Sequence, residues 1–323
     1  MPAQANRPLE EGSSLENYRI LRLLASGGFS FVYLAHDESE MPVVIKEYLP
    51  STLALRTEGA VVSAPEADLG TFRYGLKCFF EEGRALARLT HPNVVRVLNF
   101  FRANETVYLV MRFERGRTLQ EHIQQRRGPV EESWVRATFA QLLNGLREVH
   151  SNKLLHLDIK PANIFVRNDG SPLLLDFGAA RQTLSAESMK LPPAFTPGFA
   201  SPEQQARREL LGPWSDIYSV GATLYACLAA AVPQPAIDRL ESDALVPARR
   251  AFGGRYSAEL LDIIDWCLRL NHLERPQSVF ALQKALLGEK PPGRSRALPL
   301  LNALKSLLSK LKWTRSEVRD RSG

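Results

Sequence analysis

The sequence predicts an α+β fold in two parts, with strands concentrated in the first part and helices in the second. Three strand-like runs separated by turn signals, YRILRLLA, FVYLAHD and PVVIKEY, occupy residues 18–48. Two more runs, VVRVLNFF and TVYLVMRF, lie within residues 94–113. After Gly116 the pattern is helical, and SWVRATFAQLLNGLREVHSN is typical of a long amphipathic helix. We therefore place the boundary between the two parts at Gly116.

Composition indicates a globular protein with a full hydrophobic core. The chain has 323 residues, of which 45% are hydrophobic and 24% are charged. We expect neither a signal peptide in the polar residues 1–17 nor a membrane span, since no run of about 18 apolar residues occurs. Cys78, Cys227 and Cys267 lack metal-type spacing, which argues against a zinc site or disulfide framework and favours a reducing, cytoplasmic location.

The formal net charge of +6 is concentrated in the tail. From Gly288 onward the chain carries nine Lys or Arg and three acidic residues, so residues 1–287 are formally neutral. A basic stretch confined to a tail gives no indication that the main domain binds nucleic acid.

The tail itself has two segments. Residues 288–296 are typical of a linker rich in Pro, Gly and basic residues. In the predicted helix 298–313, six leucines then form one apolar stripe. We expect the stripe to pack on this chain or on a partner protein, with an anionic membrane surface as the alternative.

The turn between the first two strands contains a glycine pair, Gly27 and Gly28, within residues 25–32. Glycine allows a backbone to approach a ligand closely, although a plain hairpin turn is the ordinary interpretation of such a pair. The third strand run contains Lys46, which alone would be read as a solvated lysine.

One helix is predicted within the strand-rich part. In residues 79–89, FFEEGRALARL, the apolar positions share one face, and His91-Pro92 follows as a stop signal. The connection before it, residues 48–77, is longer than a typical loop, and such loops are either functional or mobile.

Two motifs carry the chemistry: His156-Leu157-Asp158-Ile159-Lys160-Pro161-Ala162-Asn163 and, after a short apolar strand, Asp176-Phe177-Gly178. They provide two carboxylates, an ammonium and an amide. Phosphoryl transfer needs a group that accepts a hydroxyl proton, a cation that balances the moving charge, and oxygen ligands for Mg²⁺. Either aspartate alone would be an ordinary turn residue, but the ordered set predicts a phosphotransferase.

These motifs resemble the eukaryotic-like protein kinases, whose catalytic loop reads H-R-D-x-x-x-x-N and whose metal loop reads D-F-G. GGF, VIKEYLP and HLDIKPANI look more similar to the bacterial branch. The resemblance covers roughly residues 17–287 and implies a bilobal protein-kinase-like fold. Its antiparallel β-sheet lobe with one main helix would be residues 17–115, and its mostly helical lobe residues 116–287. Residues 1–16 would then be a flexible leader, and residues 288–323 the basic linker and amphipathic helix.

The resemblance implies the catalytic and metal-binding residues. Asp158 would orient the substrate hydroxyl and accept its proton, and Lys160 would steady the γ-phosphate. Asn163 and Asp176 would hold Mg²⁺, with Mn²⁺ as the alternative ion.

The same resemblance implies the residues that bind ATP, which are Ala25, Gly27, Gly28, Val32, Lys46, Glu82, Met111 and Phe113. Lys46 would grip the phosphates and pair with Glu82 on the predicted helix, with Glu81 in reserve. The glycine-rich loop departs from the family pattern G-x-G-x-x-G-x-V, because Ala25 and Ser30 replace two glycines. Met111 would be the gatekeeper beside adenine, and residues 112–114 the hinge between the lobes.

Further motifs extend the resemblance toward the end of the domain. Residues 196–203, TPGFASPE, resemble the substrate-docking loop with its A-P-E close. Asp216 would brace the catalytic loop, and Arg275 would pair with Glu203. Leu157 stands where most members have an arginine that receives an activation-loop phosphate.

Three functions fit these motifs. The first is a protein serine/threonine kinase that transfers the ATP γ-phosphate to protein hydroxyls. A pseudokinase or scaffold on the same fold is the second, and a small-molecule phosphotransferase is the third. Neither a metal ligand nor the phosphate-binding lysine is missing, which favours an active enzyme, and TPGFASPE favours protein substrates.

Overall fold

An antiparallel sheet forms the amino-terminal lobe of the structure, a computed structural model that describes residues 6–57, 60–63, 66–177 and 195–288. The described strands of this lobe are β1 (Ser14–Leu15), β2 (Tyr18–Ser26), β3 (Ser30–His36), β4 (Pro42–Tyr48), β5 (Ala54–Thr57), β6 (Ala60–Ser63), β7 (Val97–Ala103) and β8 (Thr106–Arg112). Six of them pair in the order β1-β2-β3-β4-β8-β7, and β5 pairs with β6 in a separate hairpin. The predicted strands are confirmed.

The pairing register assigns the side chains of the central strands to two faces. Glu47 lies opposite Phe31 and Tyr108, whereas Lys46 lies opposite Val32. Because successive strand residues point to opposite sides, Lys46 and Glu47 face different environments. We call the side of Lys46 the inner face and the side of Glu47 the outer face.

The outer face buries a polar cluster centred on Glu47, which is fully buried. The Tyr33 hydroxyl donates to Glu47 Oε2 at 2.7 Å, and the Tyr108 hydroxyl donates to Oε1 at 2.6 Å. Arg56 of the β5–β6 hairpin forms an ion pair with the same carboxylate. Burial, and then the nearby Glu47 carboxylate, raise the pKa of both tyrosines, so they act here as neutral hydroxyl donors.

The described start of the chain, residues 6–16, packs on this hairpin and on the sheet. The Asn6 side chain donates to the Ala54 carbonyl at 2.7 Å and accepts from the Arg56 amide at 3.0 Å. Nearby, the Leu9 amide donates to the Tyr33 hydroxyl at 3.1 Å. The hairpin and the chain start are therefore fastened to each other and to the outer face.

Two segments of this region have more structure than their local patterns indicated. Of the predicted leader 1–16, residues 6–16 contact the hairpin and the sheet and include β1, while its flexibility stays a prediction. The predicted long connection 48–77 contains the β5–β6 hairpin and the beginning of a helix. The contacts among these segments and the sheet join residues 24 to 50 positions apart, so local patterns gave no sign of them.

Helix α1 (Glu66–Leu86) packs against β7 and β8. It begins thirteen residues before the predicted helix at 79 and ends three residues before 89. Phe79, Leu86 and Leu89 are all buried as predicted, although Leu89 lies just after the turn that follows the helix. Glu82 is also buried on this helix. Acidic side chains are rarely buried unless they have a partner, so Glu82 is not an ordinary surface residue.

The carboxy-terminal lobe is mostly helical, as predicted. It opens with a small sheet of β9 (Gly116–Thr118), β10 (Ile164–Arg167) and β11 (Pro172–Leu174). Its described helices are α2 (Leu119–Gln125), α3 (Glu132–Ser151), α4 (Pro202–Ala206), α5 (Pro213–Ala229), α6 (Ala236–Glu241), α7 (Ala248–Ala251), α8 (Ala258–Cys267) and α9 (Val279–Leu286).

Local sequence explains the main helices of this lobe. Thr118 and Glu121 form a reciprocal capping box that starts α2. Helix α3 is amphipathic, and its apolar stripe is buried. Helix α5 is apolar on nearly every side and almost entirely buried, so it forms the centre of the lobe.

The tail lies outside the described residues, and its predicted linker and helix 298–313 stay predictions. Within the described ranges, no helix is both long enough and apolar enough to cross a membrane.

The Arg56–Glu47 pair gives a prediction about stability. We expect Arg56→Ala to lower the free energy of unfolding by about 3–5 kcal/mol, because Glu47 stays buried without its counter-charge. Arg88 is exposed on the same lobe, so Arg88→Ala should change the free energy of unfolding by less than about 0.5 kcal/mol. Urea denaturation at neutral pH measures both variants. Equal effects of the two would contradict a structural role for the buried pair.

Candidate active site

The carboxylate of Asp158 lies at the centre of a polar cluster formed by the catalytic motif and the docking loop. The Thr196 hydroxyl donates to Asp158 Oδ1 at 2.8 Å. Lys160 Nζ and Asn163 Nδ2 each donate to Oδ2 at 2.8 Å. Lys160 also donates to the Thr196 hydroxyl at 2.7 Å. Both predicted catalytic residues and one predicted metal ligand therefore meet at one point, and the three donors orient the carboxylate.

The backbone before Asp158 is held in an uncommon conformation. Leu157 has a φ of 61°, in the left-handed region that non-glycine residues rarely adopt. Its amide donates to Asp216 Oδ1 at 2.7 Å, and its carbonyl accepts from Gln204 Nε2 at 2.6 Å. Such strain persists only where neighbouring groups impose it. Here Asp216 and Gln204 impose it, and they fix the direction in which Asp158 leaves the loop.

Asp216 at the start of α5 braces the loop, as predicted. Its side chain is fully buried and accepts from the amides of His156 and Leu157 at 2.9 and 2.7 Å. His150 Nε2 lies 2.7 Å from Asp216 Oδ2. Burial disfavours the charged carboxylate, but hydrogen bonds and charge from the two histidines outweigh burial and lower the pKa of Asp216.

His156 joins the catalytic motif to the second motif. Its ring is fully buried, with Nε2 2.9 Å from the Leu175 carbonyl, and its centroid lies 4.3 Å from that of Phe177. Asp176, which lies between Leu175 and Phe177 in the sequence, has a φ of 53°. The side chain of Asp176 is partly exposed. Gly178 lies outside the described residues.

Lys46 connects the sheet to this second motif. Its ammonium forms an ion pair with Asp176 at 2.5 Å, and Lys46 itself is 7% exposed. The resemblance implied that Lys46 pairs with Glu82. Among the described residues, the ion pair that Lys46 forms is with Asp176. An ammonium has three donors, so the Asp176 contact does not prevent a second one. The pair with Glu82 stays a prediction.

The inner face of the sheet groups the predicted nucleotide-binding residues. Val32 lies opposite Lys46 on β3, and Met111 lies opposite Val44 on β8. Val44 and Lys46 are two positions apart and so share a face. Val32, Lys46 and Met111 therefore lie on one side of the sheet.

The glycine pair forms the turn between β2 and β3. Ala25 lies opposite Val32, and the Gly27 amide donates to the Ser30 carbonyl at 2.9 Å. A Cβ at Gly27 would meet only the Ser30 carbonyl, at 3.9 Å, and one at Gly28 would meet nothing within 4 Å. Packing within the protein therefore does not require either glycine, which leaves room for close approach by a ligand.

The predicted hinge lies between β8 and β9, where Phe113 is half-buried. The next residue, Glu114, forms a forked ion pair with Arg167 of β10, at 3.0 and 3.2 Å. Gly116 has a φ of 158°, and a Cβ there would lie 2.1 Å from the Val166 carbonyl. Only glycine fits this close approach, which explains why the second lobe opens at Gly116.

The docking loop is anchored by the predicted pair of Glu203 and Arg275, which the structure confirms. Arg275 is fully buried, and its NH1 and NH2 groups donate to the two Glu203 oxygens at 2.8 and 3.0 Å. Burial opposes ionisation of Glu203, but Arg275 outweighs burial, and the pKa of Glu203 is lowered. The loop that carries Thr196 is thereby fixed to the helical lobe.

Three residues of this framework were missed from sequence: His150, Gln204 and Glu47. One signal could have found Glu47. Lys46 and Glu47 are adjacent charged residues in an apolar strand, and strand alternation places one of them on each covered face. His150 and Gln204 act through long-range contacts, and their local sequence carries no comparable signal.

The side-chain oxygen atoms of the site are the kind of ligand that a hard divalent cation uses when it is bound together with phosphates. Hydrogen bonds to Asp158 engage the amide nitrogen of Asn163, so its carbonyl oxygen is the atom left to serve as a ligand. Asp176 adds a carboxylate. One or two such protein oxygens plus phosphate oxygens are typical of Mg²⁺ sites. Within the described residues, no group of three or more His, Cys, Asp or Glu forms a separate metal site.

Comparisons with known proteins agree with this geometry. A family model described as "Protein kinase domain" matches residues 18–287. Serine/threonine-protein kinase B of Synechocystis sp. is 32% identical over 240 residues, which is 69% of this chain and 39% of that protein. Serine/threonine-protein kinase pkn3 of Myxococcus xanthus is 31% identical over 295 residues, which is 83% of this chain and 49% of that protein. The chain thus spans half or less of the length of these curated relatives.

Solved structures show the same similarity. The structure described as "PpkA-294 apo form" has a TM-score of 0.77 and 33% identity, and the match covers 86% of this chain and 99% of that chain. The PknI kinase domain of Mycobacterium tuberculosis has a TM-score of 0.65 at 21% identity, a likeness of fold alone.

The Glu203–Arg275 pair predicts how stability depends on pH. A carboxylate whose pKa is lowered by folding stabilises the folded state above its unfolded pKa, about 4.5, and this contribution is lost as pH falls through the folded value. We therefore expect the free energy of unfolding to decrease below about pH 4.5, and the decrease to be shallower in Glu203→Gln. Denaturant titrations from pH 7 to pH 3 measure the slopes. Glu241→Gln, at an exposed carboxylate, is the control. If Glu203→Gln and Glu241→Gln had the same slope, the proposed contribution of the pair would be wrong.

Proposed function

We propose that this chain, which belongs to the protein kinase domain family, is an ATP-dependent protein serine/threonine kinase. The observation that carries the proposal is the convergence of Lys160, Asn163 and Thr196 on the Asp158 carboxylate. A proton acceptor, a cation and an oxygen ligand are thereby held within one hydrogen-bonded cluster. Lys46 and Asp176 provide a second cation and carboxylate pair, which belongs to the phosphate end of such a site.

The reaction uses these groups in a single displacement. The hydroxyl oxygen of a protein serine or threonine attacks the γ-phosphorus of ATP, and the bond from that phosphorus to the β–γ bridging oxygen breaks. Asp158 orients the hydroxyl and accepts its proton, and ADP leaves with the bond electrons. Lys160 balances charge on the transferring group. The Thr196 hydroxyl bridges Lys160 and Asp158, which ties the docking loop to the reacting centre.

The nucleotide lies on the inner face of the sheet in this proposal. Val32 and Met111 offer apolar contacts to adenine, and the Phe113 backbone at the hinge offers hydrogen bonds. Lys46 binds the α- and β-phosphates under the turn of Gly27 and Gly28, where no protein atom crowds a Cβ position. Ala25 takes the place of one glycine of the usual pattern, at the strand end opposite Val32.

Asn163 and Asp176 would hold Mg²⁺, or Mn²⁺ in its place. When bound, the ion would neutralise charge on the phosphates. Asp176, which forms an ion pair with Lys46, would supply a carboxylate to the ion, and Asn163, which donates two hydrogen bonds to Asp158, would supply its side-chain oxygen.

We further propose a cytoplasmic location and protein substrates. Free cysteines support a reducing environment: Cys227 and Cys267 are buried, and burial raises the pKa of both thiols. The docking loop 196–203 supports protein rather than small-molecule substrates. The predicted helix 298–313 is the candidate contact with a partner protein or a membrane surface.

The first functional prediction tests the proton acceptor and the metal ligand. Asp158→Asn should stay folded and lose at least about 100-fold of its turnover, because a general base typically contributes that much. Asp176→Ala should also lose Mg²⁺-dependent nucleotide binding. Autophosphorylation, phosphorylation of a generic protein substrate, and calorimetric titration with Mg²⁺ and a non-hydrolysable ATP analogue measure these effects.

Two outcomes would contradict the assignment. Substantial phosphorylation by folded Asp158→Asn would remove Asp158 from its role. A native chain that binds Mg²⁺ and nucleotide but transfers no phosphate would favour a scaffold instead of an enzyme.

A second prediction concerns activation. Leu157 is apolar and 1% exposed, so it cannot receive an activation-loop phosphate as an arginine does. We expect alanine at Thr183, Ser185 and Ser188 together, all outside the described residues, to reduce activity by less than about tenfold, or 1.4 kcal/mol of barrier. Thr196→Ala is the matched control and should reduce it more, because Thr196 contacts Asp158.

The comparison is a steady-state assay of the two variants and the native chain. A larger loss in the triple variant would show that phosphorylation controls the enzyme. Arg181, in the same segment, would then be the next residue to test as the phosphate ligand.

A further inference from the structure

Strand β4 and helix α1 contact each other at a point away from the reacting groups. On β4, Tyr48 lies two positions after Lys46 and therefore on the same face. On α1, Gly75 lies seven positions before Glu82, which is two turns and about 10.5 Å along the same side of the helix. Tyr48 and Gly75 contact each other. This contact therefore lies on the same strand face as Lys46 and the same helix side as Glu82, the two residues that the proposed function assigns to ATP.

The contact is close and requires glycine. A Cβ at position 75 would lie 1.9 Å from the Tyr48 hydroxyl oxygen and 2.7 Å from Tyr48 Cζ. Such distances do not occur between non-bonded atoms, so the ring rests directly on the helix backbone. The other glycine in the first half of α1 differs: a Cβ at Gly70 would meet nothing within 4 Å. Gly75 is thus required by packing, and Gly70 is not.

The Tyr48 ring has little freedom to move aside. It is 2% exposed, and its centroid lies 5.9 Å from the ring of Phe72 and 5.5 Å from that of Phe79. The backbone of Tyr48 is held as well, because its carbonyl accepts a hydrogen bond from the Thr106 hydroxyl on β8. The preceding residue, Glu47, is fixed in the outer-face cluster. The ring is therefore a rigid stop against α1.

Phe79 links this stop to the site. It contacts the Tyr48 ring on one side and lies under Lys46, whose ammonium is 5.8 Å from the Phe79 ring centroid. Glu82 is one turn further along the helix and is buried. A displacement of α1 at Gly75 would therefore move Phe79 and Glu82 relative to Lys46.

We propose that Tyr48 and Gly75 are positioning residues that set the distance between α1 and β4, and so hold Glu82 in place beside Lys46. This inference rests on the proposed function, because it assumes that Lys46 and Glu82 act on ATP. The ring limits how closely the helix can approach the strand, and the missing side chain at position 75 lets the two elements come to that distance.

The experiment compares two glycine substitutions in one helix. Gly75→Ala should reduce kcat/KM for ATP by about tenfold or more, because small displacements of catalytic groups are costly, while the melting temperature still shows a folded protein. Gly70→Ala is the matched control. Its kinetics should equal those of the native chain, and its melting temperature should be equal or higher because alanine favours the helix.

Double-variant cycles separate positioning from general packing. If Gly75 acts through Glu82, then Glu82→Gln should have a much smaller effect in the Gly75→Ala background than in the native chain. The same substitution should have its full effect in the Gly70→Ala background. Tyr48→Phe removes the atom nearest to the new Cβ, so Gly75→Ala should be less harmful when combined with it.

A variant without the added methyl group covers the case in which Gly75→Ala does not fold. Tyr48→Leu removes the ring and should reduce kcat/KM for ATP, again with little further effect of Glu82→Gln. Folded Gly75→Ala with the kinetics of Gly70→Ala, or effects that add to those of Glu82→Gln, would overturn the inference. Folded Tyr48→Leu with native kinetics would overturn it as well. An inactive native chain would refute the proposed function instead.

Discussion

The rest of the candidate active site depends on the hydrogen bonds that the buried carboxylate of Asp216 accepts. Two consecutive backbone amides, those of His156 and Leu157, donate to it and hold the catalytic loop in a conformation that an isolated chain would avoid. The position of Asp158 follows from that conformation, and the side chains around Asp158 then follow from its position. A charge buried at the start of α5 thus fixes the geometry of the partly exposed groups around Asp158.

Much of this arrangement could be predicted from sequence because it is encoded in short motifs. The order of chemical groups in residues 156–163 and 176–178 indicated the reaction, and the turn signals and apolar periods indicated where strands give way to helices. Even the long-range pair of Glu203 and Arg275 was predictable, but only by resemblance. Nothing in the local sequence around either residue indicates its partner, since 72 positions separate them.

The outer face of the sheet could not be predicted in this way. Its cover is assembled from the start of the chain and the β5–β6 hairpin, which local patterns assign to a leader and a loop. The contacts that define it are backbone and side-chain hydrogen bonds between residues such as Asn6 and Arg56, and a buried charge pair that no period reveals. The predicted partner of Lys46 shows the same limit, because residue types identify the candidate carboxylates without giving their distances.

The forked ion pair of Glu114 and Arg167 has a consequence for how the two lobes move. Arg112 ends strand β8 and belongs to the sheet, whereas Glu114 is tied to β10 of the helical lobe. Along the covalent connection, only Phe113 lies between these two anchors. The backbone torsions between Arg112 and Glu114 are therefore where a rotation of one lobe against the other would be taken up along the chain. Since adenine is proposed to bind to the same backbone, a bound nucleotide would act directly on this connection, and lobe rotation would be coupled to ATP binding.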